Sequence, residues 1–156
     1  MGRLTAVVVL AAALFAGCGG SSSSSPATLD ALLKRPGPDV SITAGASEFV
    51  PGSVRYPFLV IKNDARPVEH STATVWVAVA RDRKPFARVT ARLEPIGIPG
   101  RSAPAFGEVS RIYVAHLRIP RTGRYWVVAE PAGAKVQAIG ALEVGARSLS
   151  PAVGAK

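Results

Sequence analysis

Leu117-Arg118-Ile119-Pro120-Arg121-Thr122-Gly123-Arg124-Tyr125-Trp126-Val127-Val128-Ala129-Glu130 is the stretch that decides the fold. A β-branched and apolar run meets Pro120, which has no N–H to continue a strand ladder, and Gly123 supplies a turn residue before a second run starts. Side chains alternate across a strand, so Tyr125 and Trp126 face opposite ways. Either ring is large enough to dominate the local burial. This reads as strand, tight corner, strand.

Outward from this corner the same grammar repeats. Runs rich in Val, Ile, Tyr and Trp occupy 40–44, 54–62, 72–80, 88–94, 110–119, 124–130 and 135–144, separated by turn chemistry such as Pro51-Gly52, Asn63-Asp64 and Pro131-Ala132-Gly133. Short strands recurring every ten residues or so indicate an all-β domain, and 15 Gly with 13 Pro disfavour a helical bundle. In the third run Val75, Val77 and Val79 share one side while Trp76, Ala78 and Ala80 share the other. A strand apolar on both sides is central, with something covering its second face. In the fourth run Val89, Ala91 and Leu93 oppose Arg88, Thr90, Arg92 and Glu94, which suits a position nearer a sheet edge. The fifth run, with Ile112, Val114 and His116 against Tyr113, Ala115, Leu117 and Ile119, is nearly apolar throughout.

A tyrosine that opens a strand just past such a corner resembles the E-to-F corner of immunoglobulin-like and fibronectin-like domains, where the hydroxyl bonds back to upstream backbone. The resemblance implies an antiparallel sandwich of about seven strands over residues 39–147. It implies cohesion by packing alone, since the single cysteine of the chain cannot form an internal disulfide. The segments 46–58 and 91–97, with the Tyr125 corner, also resemble the β-rich N-terminal module that precedes thioredoxin-like domains in secreted bacterial proteins. Within the C-terminal tail 148–156, residues 150–156 are similar to the linker into such domains. No Cys-x-x-Cys occurs, so the redox chemistry of that family transfers to no residue here. The expectation is a stand-alone relative, or a product truncated at Lys156 that serves as accessory to an envelope thiol-disulfide system.

The N-terminal 20 residues, MGRLTAVVVLAAALFAGCGG, place Arg3 ahead of an uncharged run over 4–15. A helix of that length covers about 18 Å, against a hydrocarbon core of about 30 Å, so the run suits the h-region of a signal peptide. Phe15-Ala16-Gly17-Cys18 resembles the lipobox of bacterial lipoproteins, with Phe15 where that family usually carries Leu. The resemblance implies cleavage after Gly17, a diacylglyceryl group on the Cys18 thiol, and a domain held on the extracytoplasmic face of the cell membrane. Residues 18–38, with their Ser, Gly and Pro, read as a tether. Within it Leu29, Leu32 and Leu33 fall at helical spacing behind Thr28, a cap residue. This predicts a short, transient helix resting on the domain or on the bilayer.

Reactive constellations are missing from the sequence. His70 sits in a polar connection beside Glu69, and His116 lies inside an apolar strand. The expectation is a solvated His70, a packed or hydrogen-bonded His116, and no metal site. No Gly-x-Ser-x-Gly elbow, phosphate-cradling glycine loop or paired-carboxylate cleft is recognisable, so no catalytic residue, no cofactor and no enzyme is expected. The formal net charge is +9, with basic residues clustered at Arg81, Arg83, Lys84, Arg88 and Arg92 and at Arg118, Arg121 and Arg124. A signal peptide removes nucleic acid from the candidate partners, leaving anionic lipid, wall polymers or an envelope protein beside the lipid attached at Cys18. Together these readings predict a lipid-anchored, non-catalytic binding or scaffolding module.

Overall fold

The computed structural model describes residues 28–97, 109–148 and 150. A five-residue helix, α1 (Leu29–Leu33), precedes seven strands: β1 (Val40–Ala44), β2 (Gly52–Lys62), β3 (Thr72–Ala78), β4 (Ala87–Pro95), β5 (Arg111–Ile119), β6 (Gly123–Pro131) and β7 (Ala138–Val144). The all-β expectation therefore holds, and each strand overlaps one run read from the sequence, with β2, β4 and β6 reaching one or two residues past theirs. The third run stops at Ala78, leaving Val79 half exposed. The last strand starts at Ala138, although Val136 ahead of it is still buried.

The strands are joined in the order β1-β2-β5-β4-β3-β6-β7 and close into one barrel, where two separate sheets were expected. Two contacts make the difference. The first is β4, which pairs antiparallel with β3 from Ala87 to Arg92 and with β5 from Arg92 to Pro95, so it passes from one layer to the other. It is thus not at an edge; its wet face reflects a barrel wall with solvent on one side. The second is β1, antiparallel to β2 over five residue pairs and parallel to β7 at Ser41↔Ile139. A Cβ added to Gly140 would lie 2.8 Å from Ile42 Cβ, closer than carbon atoms pack. Glycine in β7 thus lets the first and last strands meet. Alternation along a strand states which side is dry, and a sandwich and a small barrel share that pattern.

Inside the barrel the inward residues form one continuous core. Phe49, Tyr56, Phe58 and Tyr113 line up ring against ring, with successive centroids 5.6, 5.4 and 5.4 Å apart, and Val75, Val77, Val127 and Ala129 fill the facing wall. The corner closes as its residues suggest: Gly123 adopts φ +135°, and the Tyr125 hydroxyl donates to the Arg121 carbonyl at 2.8 Å.

A second apolar cluster lies outside the barrel. Trp76, Ala78 and Val128 on the outer faces of β3 and β6 meet Leu29 and Leu32 of α1, both fully buried. The doubly apolar third strand thus receives its cover from the short helix. Thr28 caps that helix by accepting the Ala31 N–H at 3.1 Å, and the Asp30 N–H donates to the Arg81 carbonyl at 3.1 Å. Of the two surfaces open to it from sequence, α1 rests on the domain.

Candidate functional site

Cys18 and the whole leader lie outside the described residues, so the structure bears only on the domain that the leader would deliver. Among the described residues no helix is long and apolar enough to cross a membrane, and no group of three or more His, Cys, Asp or Glu side chains is placed to hold a metal ion.

The two histidines stand apart. His70 is exposed, and its backbone N–H donates to the Tyr113 hydroxyl at 2.8 Å. His116 is also exposed, which corrects the expectation that it is packed or hydrogen-bonded. The inward set of β5 is Tyr113, Ala115, Leu117 and Ile119, so the two-residue period turns His116 to solvent, in register with Arg55. The outward side of this strand reads as apolar because Val114 is covered between Pro57 and Arg92 of the flanking strands.

The buried tyrosines do structural work. Besides accepting from His70, the Tyr113 hydroxyl donates to the Val68 carbonyl at 3.1 Å, which ties the β2–β3 connection to the barrel. Burial pushes its ionisation upward; the His70 N–H opposes this and nearby Glu69 adds to it. Tyr56 is fully buried without a hydrogen-bond partner for its hydroxyl, and desolvation pushes its pKa up to about 12. Burial thus favours the neutral phenol at both positions, which suits packing.

What the fold does assemble is charge. β3 and β5 both run toward one end of the barrel, so the β3–β4 loop at 79–86 and the β5–β6 turn at 120–122 come together there, with Gly52 at the start of β2. The two basic clusters, some forty residues apart in sequence, thus share this end except for Arg92, which lies further along β4 between Thr72 and Val114. Their members divide by role. Arg81 pairs with Asp30 at 2.9 Å and lies 5.9 Å from the Trp126 ring centre, Arg124 pairs with Glu143 at 3.0 Å and lies 5.1 Å from the same ring, and Arg88 covers Trp76 at 5.8 Å. These three guanidiniums lie over the outer indole rings and stabilise the α1 side of the barrel. Lys84, Arg118 and Arg121 are exposed and carry no ion pair among the described residues, while Arg83 reaches only Asp82, at 4.0 Å.

Apolar groups accompany these cations. Phe86, 45% exposed, sets its ring edge-on against Tyr125 at 5.7 Å and borders a shallow depression lined by Gly52, Arg118, Ile119 and Pro120. The sequence marked both basic clusters but not their convergence, and gave no role to Phe86, whose exposure depends on where the loop places it. Comparison of the chain with protein-family models, with curated proteins and with solved structures finds no match.

Proposed function

We propose that this chain is a bacterial envelope lipoprotein, fastened to the outer face of the cytoplasmic membrane through Cys18, whose domain is a non-catalytic binding or scaffolding module. The observation that carries the reading is in the leader: the only cysteine of the chain follows a charged n-region, an apolar run too short to span and two small residues. The domain is compatible with that role. Its titratable side chains are dispersed over the surface, its buried hydroxyls serve packing, and the loops at one end present Lys84, Arg118 and Arg121 beside exposed Phe86.

The finer fold reading belongs to this proposal as well. Taken as two layers, β1-β2-β5-β4 and β3-β6-β7 follow the ABED and CFG order of an immunoglobulin constant-type domain, and Tyr125 stands at the start of the sixth strand as the corner tyrosine does. On this reading the protein is a sandwich of that lineage whose layers are stitched together by β4 and by the β1–β7 contact. Closure occupies the strand edges, so partners are met through the loops at the barrel ends.

Metabolic labelling with a palmitate analogue tests the anchor. The wild-type protein is expected to carry label and to sediment with membranes, and Cys18→Ala to lose both. Equal labelling of the two, or an uncut precursor dissolved in the cell interior, would refute it.

A further inference from the structure

Resting on the anchored reading above, we infer that the barrel end formed by residues 79–86 and 120–122 lies against anionic lipid headgroups, with the opposite end pointing away from the membrane.

Three independent observations converge on that end. The first is apolar exposure. Of the four large apolar side chains exposed among the described residues, Val50, Val79 and Phe86 are here, at 37%, 48% and 45%, and only Ile96 is elsewhere. The second is charge. Lys84, Arg118 and Arg121 project from the same loops without an ion pair among the described residues. Both ends carry acids, Asp82 and Glu143 here and Asp39, Asp64 and Glu69 at the other end among Lys62, Arg66, Arg111 and Lys135, but only here do the cations stand beside several exposed apolar tips. Cations flanking exposed apolar tips match the headgroup and upper acyl region of an anionic bilayer, whereas the other end exposes only Ile96 among its charges.

The third observation is where the chain enters the fold. The helix α1 begins at this end, since the Asp30 N–H reaches the Arg81 carbonyl and the Asp30 carboxylate pairs with the Arg81 guanidinium. It then runs toward the other end, where Arg35 pairs with Glu130 at 3.1 Å. Nine residues lie between Cys18 and Thr28, and the ten Cα–Cα steps span at most about 36 Å. Lipid on Cys18 therefore keeps this end within tether reach of the surface, where its cations and apolar tips favour contact. The buried Leu29 and Leu32 fix the entry point, so the tether restricts orientation as well as distance. Closeness matters because the electrostatic attraction decays over a Debye length, about 8 Å at physiological ionic strength.

The test uses the full mature lipoprotein reconstituted into phosphatidylcholine vesicles containing phosphatidylglycerol and a nitroxide-headgroup lipid. A single added thiol carries a fluorophore, either at Thr122→Cys on the proposed surface or at Asn63→Cys at the far end; lipid blocks the Cys18 sulfur from labelling. A nine-residue strand is about 30 Å long, so the two probes stand at clearly different heights. Strong quenching at residue 122 with little at residue 63 is expected. The difference should shrink in high salt and in a variant combining Lys84→Glu, Arg118→Glu and Arg121→Glu, while the protein still floats with the vesicles. Equal quenching at both sites, stronger quenching at residue 63, or a charge-reversed variant that keeps the full difference would overturn the orientation. Protein that does not float with the vesicles at all would instead overturn the anchor on which it rests. The unchanged far-ultraviolet dichroism of the variant, whose three substitutions are all exposed, separates loss of orientation from loss of fold.

Discussion

The two faces of β3 bury apolar side chains by different means. Inward, Val75 and Val77 join a core walled by all seven strands and threaded by the rings of Phe49, Tyr56, Phe58 and Tyr113. Outward, Trp76 and Ala78 join a patch of a few residues covered by one helix of five. The inner cluster is surrounded by ladders of backbone hydrogen bonds and has nowhere to go short of unfolding. A five-residue helix cannot sustain itself in water, so the outer patch holds α1 as much as α1 covers the patch. One face therefore makes the fold, and the other ties the N-terminal side of the described chain to it.

The largest effect should come from the inner face. Truncating Phe58→Ala empties the middle of the ring stack and is expected to cost about 3–5 kcal/mol. Leu32→Ala in the outer patch should cost nearer 2 kcal/mol, the low end for a buried leucine, because the helix can lift away and leave the barrel intact. Denaturant unfolding of the two variants checks the contrast, and equal losses would break it.

Closure offers a smaller and sharper probe. Gly140→Val drives a side chain into Ile42, and about 1–3 kcal/mol of overpacking is expected, with loss of amide protection confined first to β1. A β1 that stays fully protected would mean that the seam tolerates separation.

The tyrosines give the finest comparison. Tyr125→Phe removes the bond to the Arg121 carbonyl and should cost about 1 kcal/mol, whereas Tyr56→Phe removes a buried hydroxyl without a partner and should be neutral or slightly stabilising. Alkaline titration adds a sign. The unfolded Tyr56 phenol ionises near its ordinary value of 10.0 and the folded one near 12, so between those values the unfolded chain sheds a proton that the folded chain keeps. Stability from this group is full below pH 10.0 and falls as the pH rises toward 12; Tyr56→Phe should make that fall shallower in urea titrations across the same range.

These features were unequally legible in the sequence. Tyr125 and Gly123 encode a corner within a few residues, and the corner forms. The two apolar sides of 72–80 called for a cover, and Thr28 with Leu29 and Leu32 offered a helix; their meeting could be expected although neither names the other. Closure was not legible, because it depends on the register of β4 against two neighbours and on one glycine facing Ile42 across the seam. The bonds from Tyr113 to Val68 and His70 span more than forty residues and leave no local trace. The exposure of His116 was obscured because an outer wall position such as Val114, covered by cross-strand neighbours, has the same composition as an interior one. Both basic clusters were visible as composition, but which arginines lie over Trp76 and Trp126 and which stand free is decided by topology alone.

Native-state hydrogen exchange on the full-length protein tests most directly the claim that one face makes the fold and the other holds the helix. The account predicts that the amides of Val77 and Val127 exchange only through global unfolding, that the amides of Asp30 and Lys34 exchange through a smaller local opening, and that Leu32→Asp abolishes protection at Asp30 and Lys34 while sparing β3 and β6. Unprotected helix amides in the wild type, or a Leu32→Asp variant that loses protection throughout the barrel, would contradict it.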